Sequence, residues 1–304
     1  MRSINRQRLA VETEGRHHAV VRGVRGKLHF ENMPHLQAFL AFCLKLSVLY
    51  VPGHRNVLKT HLCHVEFTFD DLPEAFDNTR ILFISDFHID GTNGLAEKIL
   101  EEASALEYDF CVFGGDYTFR STRSELAVSR MKQIAKDLTS RTKVYAALGN
   151  HDRYSMAETL NEAGVEILIN DNTCIEKQGR KIYIAGLDDC HYFGADDINL
   201  ADDHVPVDAF KIMISHSPEA YIQAAYADYD LFLAGHTHGG QVCLPGQIPV
   251  VSGTSVPSDM LKGKWKYHNM SGYTSRGVGA SGIAVRFFCP PEMNVITLKC
   301  RTVK

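Results

Sequence analysis

Short, continuous apolar runs recur along the chain from about residue 80 onward, and helix-like stretches separate the first three of them. Runs of this length that stay apolar on both faces are typical of buried strands in an α/β protein. The predicted strands lie at 81–85, 110–113, 144–148, 182–185, 210–214 and 231–234, and the predicted helices lie near 95–106 and 121–138. This alternation predicts a layered α/β sheet.

The two ends of the chain follow other patterns. Near the C-terminus, the apolar segments 283–288 and 294–299 predict an antiparallel pair of strands turned by Pro290 and Pro291. The first 65 residues lack the strand and helix alternation of the rest. We therefore predict an N-terminal accessory arm over 1–65 and a main domain over 66–304.

Residues 38–51 are the one candidate in the sequence for contact with a membrane. They form an apolar stretch of about fourteen residues that is interrupted by Lys45. A membrane-spanning helix needs roughly twenty apolar residues, so this stretch falls short. Two interpretations remain open, namely a helix buried against the body of the protein and a surface helix that touches a membrane or a partner.

Composition narrows the class of protein. The 304 residues are 45% hydrophobic and 22% charged, which is ordinary for a soluble globular protein. The net charge of −4 provides no strong field for nucleic acid, so we expect no nucleic-acid partner. The eight cysteines form no CxxC pair, and the polar N-terminus lacks a secretory signal pattern. We expect a cytoplasmic protein, and peripheral contact at the inner membrane follows if the surface-helix interpretation holds.

Polar residues of metal-binding types follow five of the predicted strands. The clusters are Asp86 to His88, Gly114 to Asp116, Gly149 to Asp152, Ser215 to Ser217, and Gly235 to His238. Ligands of α/β sheets bind beyond the carboxyl ends of the strands, so these clusters are expected to converge. Carboxylate, imidazole and amide groups suit manganese, iron, zinc or nickel. A single strand-end histidine is more often structural, but five such clusters in order have no packing explanation.

Residue spacing within the clusters supports binding of two ions. Asp86 and His88 are two positions apart and share one side of an extended chain, and His236 and His238 have the same spacing. Asp116 is a single carboxylate with two oxygens, so it can bridge two ions about 3.5–4 Å apart.

The ordered set D-x-H, G-D, G-N-H-D, a separate H and G-H-T-H resembles the calcineurin-like metallophosphoesterases over about residues 80–299. The resemblance implies a four-layer αββα sandwich of two mixed β-sheets flanked by helices, so the domain over 66–304 would be the phosphoesterase domain. It also implies two groups of metal ligands with a bridging residue between them. One ion would be held by Asp86, His88 and His238, the other by Asn150, His216 and His236, with Asp116 bridging.

The same resemblance implies a chemistry. A dinuclear-metal-dependent phosphoesterase would hydrolyse a phosphate ester or pyrophosphate through a metal-activated hydroxide. Manganese is the first expectation, with iron, zinc or nickel as alternatives. His151 matches the family's non-ligand catalytic histidine, which stabilises negative charge or protonates the leaving group. Asp152 either orients His151 or a neighbouring ligand, or caps the helix that begins near Ser155.

Finer features resemble a branch of often membrane-associated bacterial phosphoesterases. They are the segments Gly186 to Asp189, Gly239 to Gln241, and Tyr273 to Gly279. That branch includes enzymes that act on UDP-2,3-diacylglucosamine. Arg276 would then bind a substrate phosphate, or it is a surface arginine in a glycine-rich turn. The chain departs from many relatives because Phe119 stands three positions after Asp116, where they have a second aspartate.

Three functional hypotheses result. The first is a metal-dependent phosphoesterase with a small soluble substrate. The second is a UDP-2,3-diacylglucosamine-type lipid nucleotide pyrophosphatase that meets the membrane through residues 38–51. The third is a non-catalytic scaffold on the same fold, which the complete set of matched ligands disfavours.

Overall fold

The computed structural model describes residues 5–14, 34–120, 124–250 and 253–301. The helices are α1 (Arg6–Glu14), α2 (Pro34–Leu46), α3 (Tyr50–Asn56), α4 (Leu95–Ser104), α5 (Glu125–Thr139), α6 (Tyr154–Glu162), α7 (Ile198–Ala201) and α8 (Tyr221–Tyr226). The strands are β1 (His61–Phe69), β2 (Arg80–Ile84), β3 (Phe110–Phe113), β4 (Val144–Ala146), β5 (Glu166–Ile167), β6 (Asp171–Lys177), β7 (Arg180–Gly186), β8 (Lys211–Ile214), β9 (Leu231–Ala234), β10 (Cys243–Leu244), β11 (Ile248–Pro249), β12 (Gly263–Tyr267), β13 (Met270–Thr274) and β14 (Glu292–Cys300).

Two six-stranded mixed sheets form the centre of the fold. The first has the strand order β1-β14-β2-β3-β4-β5, in which only the β14 and β2 pair is antiparallel. The second has the order β12-β13-β9-β8-β7-β6, with antiparallel pairs at its two edges. The apolar runs that predicted buried strands are the central strands of these sheets.

Three apolar clusters fill the spaces between the layers. One lies between the sheets and includes Phe83 of β2 and Ile212 of β8. Another packs α4, α5 and α6 on the outer face of the first sheet, and includes Ile99 and Met131. The last packs α8 and Trp265 on the outer face of the second sheet. The predicted αββα sandwich is therefore confirmed.

The C-terminal prediction was wrong in its pairing. Segment 283–288 forms no strand, and β14 inserts between β1 and β2 of the first sheet. The backbone of the segment is used elsewhere, because Arg286 N donates to Gly53 O and Cys243 N donates to Phe287 O, both at 2.9 Å. These two backbone groups of the segment are thus bound by α3 and β10, and not by β14 as predicted.

Residues 38–51 do not form one helix buried against the body. α2 and α3 are separated by a turn at Ser47–Leu49, where Val48 has φ +62°. The apolar side chains Phe39, Phe42 and Leu46 of α2 are 61%, 58% and 68% exposed. Among the described residues, no helix is both long and apolar enough to cross a membrane.

The predicted boundary at residue 65 falls inside β1. This strand runs from His61 to Phe69 and pairs with β14 along its full length. The arm also contributes Arg8, whose side chain is completely buried against the main domain. The division into arm and domain stays a prediction.

Candidate metal centre

Loops from both sheets meet at the carboxyl ends of their strands. Asp86, two residues after the end of β2, donates its backbone N–H to Gly115 O at 2.9 Å, which joins the loops after β2 and β3. His236, after β9, donates its backbone N–H to Asp86 Oδ1 at 2.9 Å. His216, after β8, has its Nδ1 2.8 Å from Gly114 O. The loops of the two sheets are therefore bound directly to each other.

One half of the resulting cluster contains Asp86, His88 and His238, all buried. His238 Nε2 lies 3.4 Å from Asp86 Oδ1 and 3.2 Å from His88 Nε2. Asp116 Oδ2 lies 3.5 Å from His88 Nε2. Two imidazole nitrogens facing each other at this distance, with carboxylates on either side, form a donor set that fits a divalent cation.

The other half contains Asn150, His216 and His236. Asn150 Oδ1 lies 3.1 Å from His216 Nε2 and 3.0 Å from His236 Nδ1. Asp116 Oδ2 lies 3.3 Å from His216 Nε2. The same Asp116 oxygen therefore faces both halves. All seven predicted ligands are brought together, and their role as ligands is taken up below as a proposal.

Backbone carbonyls fix the orientation of two of the histidines. Nδ1 of His88 lies 2.8 Å from Thr118 O, and Nδ1 of His216 lies 2.8 Å from Gly114 O. A carbonyl only accepts hydrogen bonds, so each Nδ1 carries the proton. In the neutral form of each ring, Nε2 then directs a lone pair into the cluster, which is the usual arrangement around metal-binding histidines.

Five of the predicted ligands have left-handed backbone conformations, which are rare outside glycine. Their φ angles are +55° at Asp86, +39° at His88, +57° at Asp116, +71° at His236 and +50° at His238. Each such residue is strained by about 1 kcal/mol or more, and strain of this kind concentrates at functional sites. The surrounding sheets must supply the stability that holds these loops in place.

Burial and mutual charge shift the pKa values of the cluster. Burial lowers the pKa of His88 to about 4, so this imidazole is neutral near pH 7, in the form that binds metal. Burial acts against the charged form of His216 as well, but the adjacent Asp116 raises the pKa of His216 to about 10. Burial, assisted by the negative charge of Asp116, raises the pKa of Asp86 to about 6. A bound cation would reduce the repulsion between the buried carboxylates of this cluster.

His151 lies at the edge of the cluster. Its backbone N–H donates to Asp116 Oδ1 at 2.9 Å, and its Nε2 lies 4.0 Å from Asp116 Oδ2. Its ring stands edge-on to the His88 ring with centroids 5.0 Å apart. Its Nδ1 is buried and has no hydrogen-bond partner in the described part of the chain. His151 is thus next to the predicted ligands, and its catalytic role stays a prediction.

Asp152 is a buried connector between two loops of the site. Its Oδ2 accepts from the backbone N–H groups of Asp116 and Gly149, and its Oδ1 accepts from that of Tyr117, each at 2.8 Å. It does not cap α6, because the N-cap position of that helix is Arg153 and no side-chain capping hydrogen bond is made there. Of the interpretations drawn from sequence, these contacts favour the orientation of a neighbouring ligand, namely Asp116.

Arg276 is bound to a carboxylate within the protein. Its Nη2 forms an ion pair with Glu292 Oε2 at 2.5 Å, and its Nε donates to the same oxygen at 2.6 Å. Cys63 Sγ lies 3.6 Å from Nη2. The Glu292 charge and hydrogen bonds outweigh the effect of burial and raise the pKa of Arg276. The binding of a substrate phosphate by Arg276 stays a prediction.

Two further residues beside the cluster were not singled out from sequence. Arg286 is fully buried, with Nη2 3.1 Å from His238 Nδ1 and 2.6 Å from Arg276 O. Its only sequence signal is an arginine inside the apolar run 283–287. His191 stands beside His236 with ring centroids 4.2 Å apart, and its Nδ1 lies 2.9 Å from Glu219 Oε2.

Comparison with known proteins agrees with this geometry. The sequence model of the calcineurin-like phosphoesterases matches residues 79–240, more than half of the chain. The chain therefore belongs to the calcineurin-like phosphoesterase family and is a metal-dependent phosphoester hydrolase.

Several relatives match most of the chain. It is 27% identical to the uncharacterized metallophosphoesterase YkoQ of Bacillus subtilis, over 82% of this chain and 96% of that protein. It is 28% identical to the phosphodiesterase YaeI of Escherichia coli, over 72% of this chain and 82% of that protein. It is 30% identical to a transmembrane protein with metallophosphoesterase domain from Danio rerio, over 83% of this chain and 61% of that protein.

Proposed function

We propose that this protein hydrolyses a phosphate ester or pyrophosphate at a centre of two divalent metal ions. The observation that carries the proposal is the convergence of two donor sets on one shared oxygen, Asp116 Oδ2. The proposed ligands are Asp86, His88 and His238 for one ion and Asn150, His216 and His236 for the other, with Asp116 between them. We expect manganese as the native metal, with iron, zinc or nickel as alternatives.

The side chains of the site have different roles in the proposed hydrolysis. When bound, two such ions neutralise phosphate oxygens and lower the pKa of a water molecule. Asp116 keeps the two ligand groups in one rigid arrangement, since Asp152 holds its backbone. His151 is next to this carboxylate and is partly exposed, so it can reach a phosphate oxygen or the leaving group.

The proposal is tested by restoring metal to stripped protein. We expect manganese-dependent hydrolysis of bis-p-nitrophenyl phosphate or p-nitrophenyl phosphate, and loss of that activity in Asp116→Ala. Asp208→Ala is a matched control, because Asp208 is exposed and lies outside the cluster. Two bound ions without turnover of either compound would indicate a narrower natural substrate. A folded protein that binds no divalent metal would contradict the proposal and favour the scaffold hypothesis.

An apolar pocket beside the cluster favours a second candidate substrate, a lipid-linked one. The pocket has a volume of about 510 Å³, and both His236 and His238 contribute to its wall. Most of the remaining wall is formed by Leu40, Cys43 and Leu44 of α2 and by residues 240–242, 281–283 and 285. A pocket of this size accommodates an apolar portion of a ligand whose phosphate lies at the cluster.

Exposed apolar side chains are also present on the elements that form this pocket. Phe39 and Phe42 of α2 are more than half exposed, and so are Leu244, Ile248 and Val250 on or next to the β10 and β11 ribbon. Val250 belongs both to this exposed set and to the pocket wall, and Leu40 of the pocket wall is 36% exposed. Helices with one apolar face bind at lipid surfaces in this way. The second candidate is therefore a UDP-2,3-diacylglucosamine-type lipid nucleotide pyrophosphatase that contacts a membrane through residues 38–51.

Filling the pocket separates the two candidates. Leu44→Trp reduces the pocket volume, whereas Leu46→Trp adds the same side chain at a position of α2 that is 68% exposed. If the substrate is lipid-linked, Leu44→Trp lowers hydrolysis of the lipid nucleotide at least tenfold and leaves hydrolysis of bis-p-nitrophenyl phosphate unchanged. Equal effects of both variants on both substrates would exclude an acyl chain from this pocket.

A further inference from the structure

The N-terminal helix α1 bridges two loops that flank the cluster of proposed metal ligands. Arg8 of α1 is fully buried. Its Nη1 binds Asp188 Oδ1 in the loop after β7, and its Nη2 donates to Asp152 O at 2.5 Å in the loop after β4. Its Nε donates to Glu12 Oε1 at 3.0 Å, one turn further along α1. A single guanidinium therefore joins three segments that are far apart in sequence.

The bonds to the loop after β4 enclose two residues of the proposed site. Nη2 of Arg8 lies 2.5 Å from the carbonyl of Asp152 and 3.5 Å from that of Gly149. Asn150 and His151 lie between these two carbonyls in the chain. Their positions thus depend on a backbone segment whose first and last carbonyls both face the same charged group.

The second loop, after β7, is held by the same helix. The Phe193 ring lies under the guanidinium of Arg8 with its centroid 4.2 Å from Cζ. Gln7 Nε2 donates to Phe193 O at 2.9 Å, and Asn5 Nδ2 donates to Ala195 O at 3.0 Å. This loop also contains His191, whose ring lies against that of the proposed ligand His236 at an interplanar angle of 50°.

Glu12 adds a further link to the loop after β4. Its Oε1 and Oε2 accept from the backbone N–H of Tyr154, the first residue of α6, at 3.1 and 3.3 Å. A carboxylate at this position satisfies an otherwise unpaired N–H group at the start of the helix. Arg8 and Glu12 together hold the loop after β4 from Gly149 to Tyr154.

We propose that Arg8 is a positioning residue for the metal centre, acting through the loop that presents Asn150 and His151. This inference rests on the ligand assignment proposed above. A purely charge-neutralising role would need only the bond to Asp188. The fork of the guanidinium additionally binds carbonyl oxygens, which a lysine ammonium cannot do in the same geometry.

Substitutions at Arg8 separate positioning from charge and from general stability. In Arg8→Ala we expect the affinity for one of two Mn²⁺ ions to fall at least about tenfold, measured by calorimetry on metal-stripped full-length protein. Millimolar guanidinium, but not sodium chloride of equal ionic strength, should restore that affinity. Arg8→Lys should remain impaired. Arg6→Ala is the matched control, because Arg6 is exposed on the same helix.

A destabilised variant remote from the cluster serves as a control, because it shows whether loss of stability alone weakens metal binding. Leu138→Ala removes a buried side chain of α5 and should lower Tm without weakening metal binding. Wild-type affinity for both ions in Arg8→Ala, or full restoration by Arg8→Lys, would overturn the inference. Amide hydrogen exchange of residues 149–154 in the metal-stripped protein tests Arg8 separately from the proposed function. Faster exchange there in Arg8→Ala is expected, and unchanged exchange would also overturn the inference.

Discussion

Gly235 lies where β9 ends, against the carboxylate of a proposed ligand, and it is not itself a ligand. A Cβ added at Gly235 would lie 2.3 Å from Asp86 Oδ2 and 2.0 Å from Ser85 Oγ. Cβ atoms in proteins essentially never approach other heavy atoms below 3.0 Å, so the Asp86 carboxylate and the Gly235 backbone must move apart by at least the 0.7 Å that separates 2.3 from 3.0 Å. The substitution Gly235→Ala therefore displaces a proposed ligand without changing the chemistry of any side chain in the site.

The size of the effect follows from this displacement. Metal–ligand distances in proteins tolerate about 0.2 Å, so a movement several times larger weakens binding. We expect the affinity for one Mn²⁺ ion to fall about 10- to 100-fold, and turnover at saturating metal to fall about 100-fold. Overpacking adds a loss of about 1–3 kcal/mol in the free energy of unfolding.

The assay combines calorimetric titration of Mn²⁺ into metal-stripped Gly235→Ala with hydrolysis of bis-p-nitrophenyl phosphate. Gly246→Ala is the control, because Gly246 has φ +85° and no atom within 4 Å of an added Cβ. It strains the backbone by about 1 kcal/mol but displaces no side chain. A folded Gly235→Ala protein with the metal affinity and turnover of the wild type would refute the assignment of Asp86 to the metal centre.

Three other predictions concern stability and metal. Asp152→Asn replaces a carboxylate that accepts three backbone N–H groups with an amide that has only one oxygen. If the amide oxygen takes the place of Oδ2, it still accepts from Asp116 and Gly149, but the Tyr117 N–H then faces the NH₂ group. We expect a loss of about 2–3 kcal/mol in the free energy of unfolding, measured in urea. Burial, assisted by Asp71, raises the pKa of Asp230 to about 7, so the folded protein retains a proton that the unfolded chain loses. Stability should therefore fall as pH rises from about 4 to 7, by about 1–2 kcal/mol after solvent screening, and Asp230→Asn should flatten this decline. Removal of metal should lower Tm, and Mn²⁺ at 100 times its Kd should restore about 2.7 kcal/mol.

For each of these three predictions, one experimental outcome would contradict the reasoning. Unchanged urea stability in Asp152→Asn would show that its hydrogen bonds to Asp116 and Tyr117 do not hold the site together. A wild-type pH profile in Asp230→Asn would assign the pH dependence to another carboxyl group. Equal Tm values with and without Mn²⁺ would contradict binding to the folded state.

The sequence already indicated most of the proposed metal centre, because the relevant signals are local. Each cluster of ligand residues directly follows an apolar run, and parallel strands place their carboxyl ends at one edge of a sheet. Residue type alone pointed to carboxylates, imidazoles and an amide as candidate ligands. The family resemblance then grouped them around Asp116, and the observed distances agree with that grouping.

The surroundings of the ligands could not be predicted in this way. Arg276 and Arg286 are both arginines near glycines, yet one is paired with Glu292 and the other with carbonyl groups beside His238. Which buried charge meets which partner depends on contacts between distant segments. Arg8 shows this most clearly, since Asp188 is 180 residues away along the chain.

By itself, the sequence determined the sheet class, the central strands, the order of the proposed ligands and the chemistry that such residues can support, because apolar runs and residue types act over a few residues. Only the tertiary structure decided that β14 inserts beside β2, that the apolar face of α2 is exposed, and that α1 closes on the loop with Asn150. Strand pairing, exposure and buried ion pairs are settled by competition among all segments for the same hydrogen bonds and the same core. The outcome of that competition therefore cannot be predicted from any local sequence pattern.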